Sequence, residues 1–64
     1  MDLFDKALEH IDKKAYAQAL VCCQAYIKEN PENKRAKLLE SVIFELLGNY
    51  PKVFELLEKI KLEE

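Results

Sequence analysis

Tryptophan and threonine are missing from these 64 residues, glycine occurs once and proline twice. A single glycine excludes the glycine-rich loops that cradle phosphate groups. Nucleophiles are as scarce. Ser41 is the one aliphatic hydroxyl and His10 the one histidine, and no motif joins them. Nucleophilic chemistry needs a base within hydrogen-bond reach, normally oriented by a third group, so catalysis is not expected and no cofactor is implied. The only cysteines are the neighbours Cys22 and Cys23. They fall in a helical stretch, where adjacent side chains diverge by ~100°, so a disulfide between them is not expected. No second His or Cys stands at ligand spacing from them, so neither is a metal site. Long apolar runs are absent as well, and nothing approaches the ~18 residues of a membrane span. The opening residues, Met1 to Asp5, are acidic and amphipathic, unlike a signal peptide. The default expectation is a cytoplasmic, reducing compartment, where free thiols persist.

The net charge of −2 leaves no surplus of cations for a nucleic-acid backbone. Residues 1–33 carry six acids and four bases, residues 34–64 six of each, so neither half is a polyanion binder. A chain this short buries only ~60% of the surface its unfolded form exposes, and domains of this size commonly rely on disulfides, metals or partners. With the first two set aside, a partner or unusually good helix packing remains.

Ala, Leu, Glu and Lys dominate, and these residues favour helix. Four helices are predicted. The first runs over about 2–13, with Phe4, Ala7, Leu8 and Ile11 on one stripe of a 3.6-residue period. The second covers about 16–29, its stripe being Tyr16, Ala19, Leu20, Cys23, Tyr26 and Ile27. Asn30 and Pro31 stop it, because proline disfavours helical geometry in the residue before it. The third covers about 33–47 and ends at Gly48, the residue type best suited to a left-handed cap. Pro51 suits the first turn of the fourth, which is expected to carry Val53, Phe54, Leu57 and Ile60 inward. Connections this short make consecutive helices antiparallel, so the predicted fold class is all-α: two antiparallel helical hairpins in series, one domain over 1–64, with units of about 2–33 and 34–64.

The two halves repeat. Tyr16 and Tyr50 lie 34 residues apart, and the same offset brings Ala19 to Val53, Leu20 to Phe54, Cys23 to Leu57 and Ile27 to Lys61. A 34-residue period of helix–turn–helix units is the tetratricopeptide length. Individual residues resemble that family too. Tyr16-Ala17-Gln18-Ala19-Leu20 is similar to its Tyr-x-x-Ala-Ile, Ala19 and Cys23 stand where it keeps Ala-x-x-x-Phe, and Pro31 follows Ala19 by 12 as its terminal proline does. Leu47-Gly48-Asn49-Tyr50 resembles its Gly-Asp-Tyr turn, and Phe44 lies where its aromatic closes the first helix. The Trp-x-x-Leu-Gly signature is absent from both halves, and Lys37, Glu40 and Ser41 occupy positions the family keeps for its core. The resemblance implies a stacked α-solenoid that binds a protein or peptide. Two units are fewer than the three or so that usually stand alone, so a partner or a second copy is expected to cover exposed flanks. Of the Lys, Asn and Arg set with which some members clamp a carboxylate, only Arg35 has a counterpart, so no clamp is expected.

The third helix carries the candidate partner surface. On a wheel starting at Ala36, Leu38, Val42, Leu46, Leu39, Ile43 and Leu47 span half a cylinder, wider than the ~100° stripe one neighbour needs. Part of that arc must touch helices two and four. The remainder, together with Phe44 at a separate angle, is expected to leave apolar area open, with Lys34, Arg35 and Lys37 as a basic rim. The expected function is therefore protein binding through Leu38, Val42, Phe44, Leu46, Lys34, Arg35 and Lys37. Self-association as a symmetric or domain-swapped homodimer is the alternative, as is a small chaperone-like role in shielding a partner helix. Cys22, the more exposed thiol, is the one cysteine to test for reactivity.

Overall fold

A computed structural model describes residues 2–62, in four helices: α1 (Leu3–Asp12), α2 (Tyr16–Glu29), α3 (Lys34–Leu46) and α4 (Tyr50–Leu62). Among the described residues there is no strand. The helices pack in sequence order, α1 on α2, α2 on α3 and α3 on α4, which makes an all-α stack of helical hairpins. Among the described residues no helix is long and apolar enough to cross a membrane.

Local chemistry sets the boundaries. Asp2 caps α1, its Oδ1 accepting from the Asp5 N–H at 2.8 Å, and Asn33 caps α3 by accepting from the Ala36 N–H at 3.0 Å. The turns inside the two hairpins are copies of one another. The Ala15 N–H donates to the His10 carbonyl at 2.8 Å, and 34 residues on the Asn49 N–H donates to the Phe44 carbonyl at 2.9 Å. The same offset relates the Lys14 N–H bond to Ile11 and the Gly48 N–H bond to Glu45, both 2.9 Å. These bonds close each helix with a residue in the left-handed region, Lys14 at φ +61° and Gly48 at φ +80°.

Only one of those two residues is glycine, and that has a measurable consequence. An L-residue in the left-handed region costs roughly 1–2 kcal/mol. Space is open around a Cβ at Gly48, so Gly48→Ala is expected to lose about 1 kcal/mol through backbone strain alone. Lys14→Gly is expected to gain roughly 0.5 kcal/mol, the relief of strain exceeding the extra freedom of the unfolded chain. Urea midpoints of the two variants check both signs.

Ala7, Ala19, Cys23 and Ile43 form the buried centre, with Ile11, Leu20, Cys22, Ile27 and Leu39 packed against it. Alanines at the α1–α2 contact let the backbones approach, so the largest fully buried side chain, Ile43, reaches this centre from the second hairpin. The Cys23 thiol donates to the Ala36 carbonyl at 3.3 Å, a buried tie between α2 and α3. Ser41, also buried, donates to the Leu38 carbonyl at 2.7 Å, so its hydroxyl is satisfied within its own helix.

Three residues expected inward lie outward. In α4 only Val53 and Ile60 are buried, whereas Phe54 is 72% exposed and Leu57 41%. Leu57 lies roughly 50° and Phe54 roughly 110° round the helix from the line of Val53 and Ile60, and among the described residues α4 packs mainly on α3. On α1, Leu8 likewise turns outward while Phe4, Ala7 and Ile11 stay on the inner side.

Candidate partner-binding surface

α3 divides its apolar residues between two faces. Ala36 and Ile43 are buried and Leu39 is packed on the core, whereas Leu38, Val42 and Leu46 are 45%, 47% and 42% exposed. Spacing of four residues puts these three in a row one turn apart, so they form a continuous apolar strip about 12 Å long. Arg35 precedes Leu38 by one turn and stands at the head of the strip.

Arg35 is also engaged within the fold. Its guanidinium lies 5.7 Å from the centroid of the Phe4 ring, a cation–π contact that bridges α3 to α1. Phe4 in turn meets Tyr26 edge-on at 5.5 Å and 62°. The Tyr26 hydroxyl accepts from Asn33 Nδ2 at 3.3 Å, and the same Asn33 caps α3. Asp2, Phe4, Tyr26, Asn33 and Arg35 thus surround a small surface cleft of about 100 Å³. This cluster is not legible in helical periodicity, because its members come from three elements and one loop.

Lys34, exposed at the start of α3, continues the row of the strip one turn before Leu38. Two other predicted residues lie elsewhere. Lys37 is half-buried on the other side of the helix, in the wall of a cavity of about 200 Å³ with Ile27, Glu40, Leu56, Lys59 and Ile60. Glu40 accepts from Gln24 Nε2 at 3.2 Å across the α2–α3 seam. Phe44 is half-buried on the side of Lys37. The structure therefore brings Lys34, Arg35, Leu38, Val42 and Leu46 together and sets Lys37 and Phe44 apart from them. Ligand pockets for small molecules usually enclose roughly 300–1,000 Å³, so the 200 Å³ cavity between α2, α3 and α4 is small for that use.

The two thiols differ sharply. Cys22 is half-buried, whereas Cys23 is 1% exposed, and burial, followed by the nearby Glu40 and Cys22, pushes the Cys23 thiol up to about 12 from its ordinary 9.0. In the unfolded chain this thiol ionises near its ordinary value while the folded chain holds the proton. The resulting stability is complete below about pH 9 and declines as pH rises toward 12. A maleimide is expected to label Cys22 in the native protein and Cys23 only in denaturant, as mass spectrometry after proteolysis would read. Rapid native labelling of Cys23 would contradict the packing. Among the described residues no group of three or more His, Cys, Asp or Glu is placed to hold a metal ion.

Periodicity does not reveal two surface features: the Phe4–Tyr26–Arg35 cluster, and a row of Tyr50, Phe54 and Leu57 exposed by 58%, 72% and 41% along α4, where it places Phe54 and Leu57 inward. The second carries a signal in the 34-residue offset, since its positions correspond to Tyr16, Leu20 and Cys23, which are half-buried or buried on α2. In comparisons with known proteins, no family model, curated sequence or solved structure matches this chain.

Proposed function

We propose that this chain is a protein-binding module of tetratricopeptide-like architecture, receiving an amphipathic helix or an extended apolar peptide along α3. The observation that carries the proposal is the row of Leu38, Val42 and Leu46, each more than 40% exposed in a fold whose core is short of large side chains. Side chains that would add to a marginal core stand outside it, and contiguous exposed apolar residues mark interaction surfaces. An amphipathic helix binds by laying its apolar face, with anchors at i, i+3, i+4 and i+7, against such an apolar surface. Arg35 at the head of the strip favours a ligand with an acidic end, and its contact with Phe4 holds it in place. The recurrence of the turn hydrogen bonds and of positive φ at an offset of 34 residues supports the repeat reading. A reducing, cytoplasmic setting suits the two free thiols, and shielding an aggregation-prone helix is one form this binding takes.

Helical peptides selected against the wild-type chain from a display library test the proposal. Val42→Glu is expected to weaken them at least tenfold, about 1.4 kcal/mol, while the melting temperature stays within a few degrees because nearly half of the residue is already in water. Selected peptides that tolerate both Val42→Glu and Leu46→Glu would place the binding surface elsewhere. Self-association is the second reading, and what favours it is the exposed row on α4.

A further inference from the structure

We propose that two copies of this chain associate through α4, antiparallel about a two-fold axis, with Tyr50, Phe54, Leu57 and Lys61 at the seam. The proposal deepens the self-association reading and is independent of the α3 strip. These four residues are all exposed, and their 4-3-4 spacing is that of a helix–helix seam. Shifted by 34 residues they become Tyr16, Leu20, Cys23 and Ile27. On α2, Cys23 lies in the buried cluster that Ile43 of α3 shares, Leu20 and Ile27 pack against that cluster as Leu39 of α3 does, and Cys23 donates to the Ala36 carbonyl of α3. The face that α2 covers with a helix is therefore repeated on α4 and left open.

The charge pattern of α1 selects the occupant. α3 meets α2 with Ala36, Leu39 and Ile43; the residues 34 earlier on α1 are Asp2, Asp5 and Glu9, all exposed. A second copy seating its α1 on α4 would bring three carboxylates onto Phe54 and Leu57, and burying unpaired carboxylates is costly. Head-to-tail stacking is thereby disfavoured, which leaves the isologous arrangement of α4 on α4. Run antiparallel, the row is self-complementary. Phe54 meets Leu57 of the other copy, and Lys61 lies beside the ring of Tyr50, a cation–π partner. The two Lys61 ammonium groups stand ~16 Å apart along the axis, so like charges do not meet. A single pair of 13-residue helices is a small interface, so weak association, with a Kd on the order of 100 μM, is expected.

Sedimentation equilibrium from about 5 μM to 1 mM tests this. The expected result is a monomer of 7.5 kDa giving way to twice that mass, with Phe54→Glu/Leu57→Glu weakening association at least 100-fold and Val42→Glu leaving it unchanged. Circular dichroism establishes that each variant is folded. A second measurement stands without the charge reversal. In a Cys22→Ser background, mixing Tyr50→Cys with Lys61→Cys chains and oxidising should give a mixed disulfide dimer, and Tyr50→Cys alone should not. A monomer throughout would overturn both this arrangement and the self-association reading. A dimer broken by Val42→Glu but not by the α4 substitutions would overturn this arrangement alone, as would cross-linking of Tyr50→Cys to itself.

Discussion

Ile43→Ala is expected to remove most of the stability of this fold. Ile43 is the largest side chain with no exposure, and it is the member of the buried centre that comes from the second hairpin. Truncating a buried isoleucine costs ~2–5 kcal/mol, part transfer and part cavity. A chain of 64 residues has about 3–10 kcal/mol to lose. The variant should therefore melt at least ~10 °C lower, and at the upper end of the cost it should not fold at room temperature. The neighbouring Val42 makes the control, being one residue away and 47% exposed. Val42→Ala should cost under ~1 kcal/mol. Thermal unfolding followed by circular dichroism distinguishes the two, and equal losses would mean that α3 is oriented differently about its axis.

Ala19→Leu should be nearly as damaging, for the opposite reason. Ala19 is fully buried in one cluster with Ala7, Cys23 and Ile43. Adding three carbons where α1 and α2 approach through alanines forces the helices apart or the new side chain off its rotamer, at ~1–3 kcal/mol or more. Ala17 is exposed on the same helix, and Ala17→Leu should fall within about 0.5 kcal/mol of wild type. Urea midpoints decide the matter. Because Ala19 and Ile43 share one cluster, the double variant Ala19→Leu/Ile43→Ala should lose less than the sum of its parts, by roughly 1 kcal/mol, as the added volume fills part of the vacated space. Strict additivity would place the two side chains out of reach of each other.

Much of α1 and α2 is legible in the residues because both faces of that hairpin are in use. The stripe of Tyr16, Ala19, Leu20, Cys23, Tyr26 and Ile27 is buried or half-buried throughout, α2 lying between α1 and α3. The position of Ser41 is harder to read. A serine on the inner side of a helix contradicts simple hydrophobic patterning, and it is tolerated there because its hydroxyl turns to the Leu38 carbonyl in its own helix. Arg35 was legible as a candidate anion contact, but its contact with Phe4 was not, since the partners lie 31 positions apart and on different helices.

Three levels of the molecule follow from the residues alone. Composition makes the chain helical, and Asn30-Pro31 and Gly48 divide it. The 34-residue offset predicts that one hairpin repeats the other, and the paired turn hydrogen bonds carry that repetition into the backbone. What tertiary structure decides is which side of each helix meets a neighbour. The period of 3.6 residues sets the angles between side chains on one helix but leaves free the rotation of the whole helix about its axis. α3 has more apolar arc than its neighbours can cover, so packing against α2 and α4 chooses Ile43 for the interior and leaves Leu38, Val42 and Leu46 outside. For α4, contact along one side buries Val53 and Ile60 and leaves Phe54 and Leu57 in water.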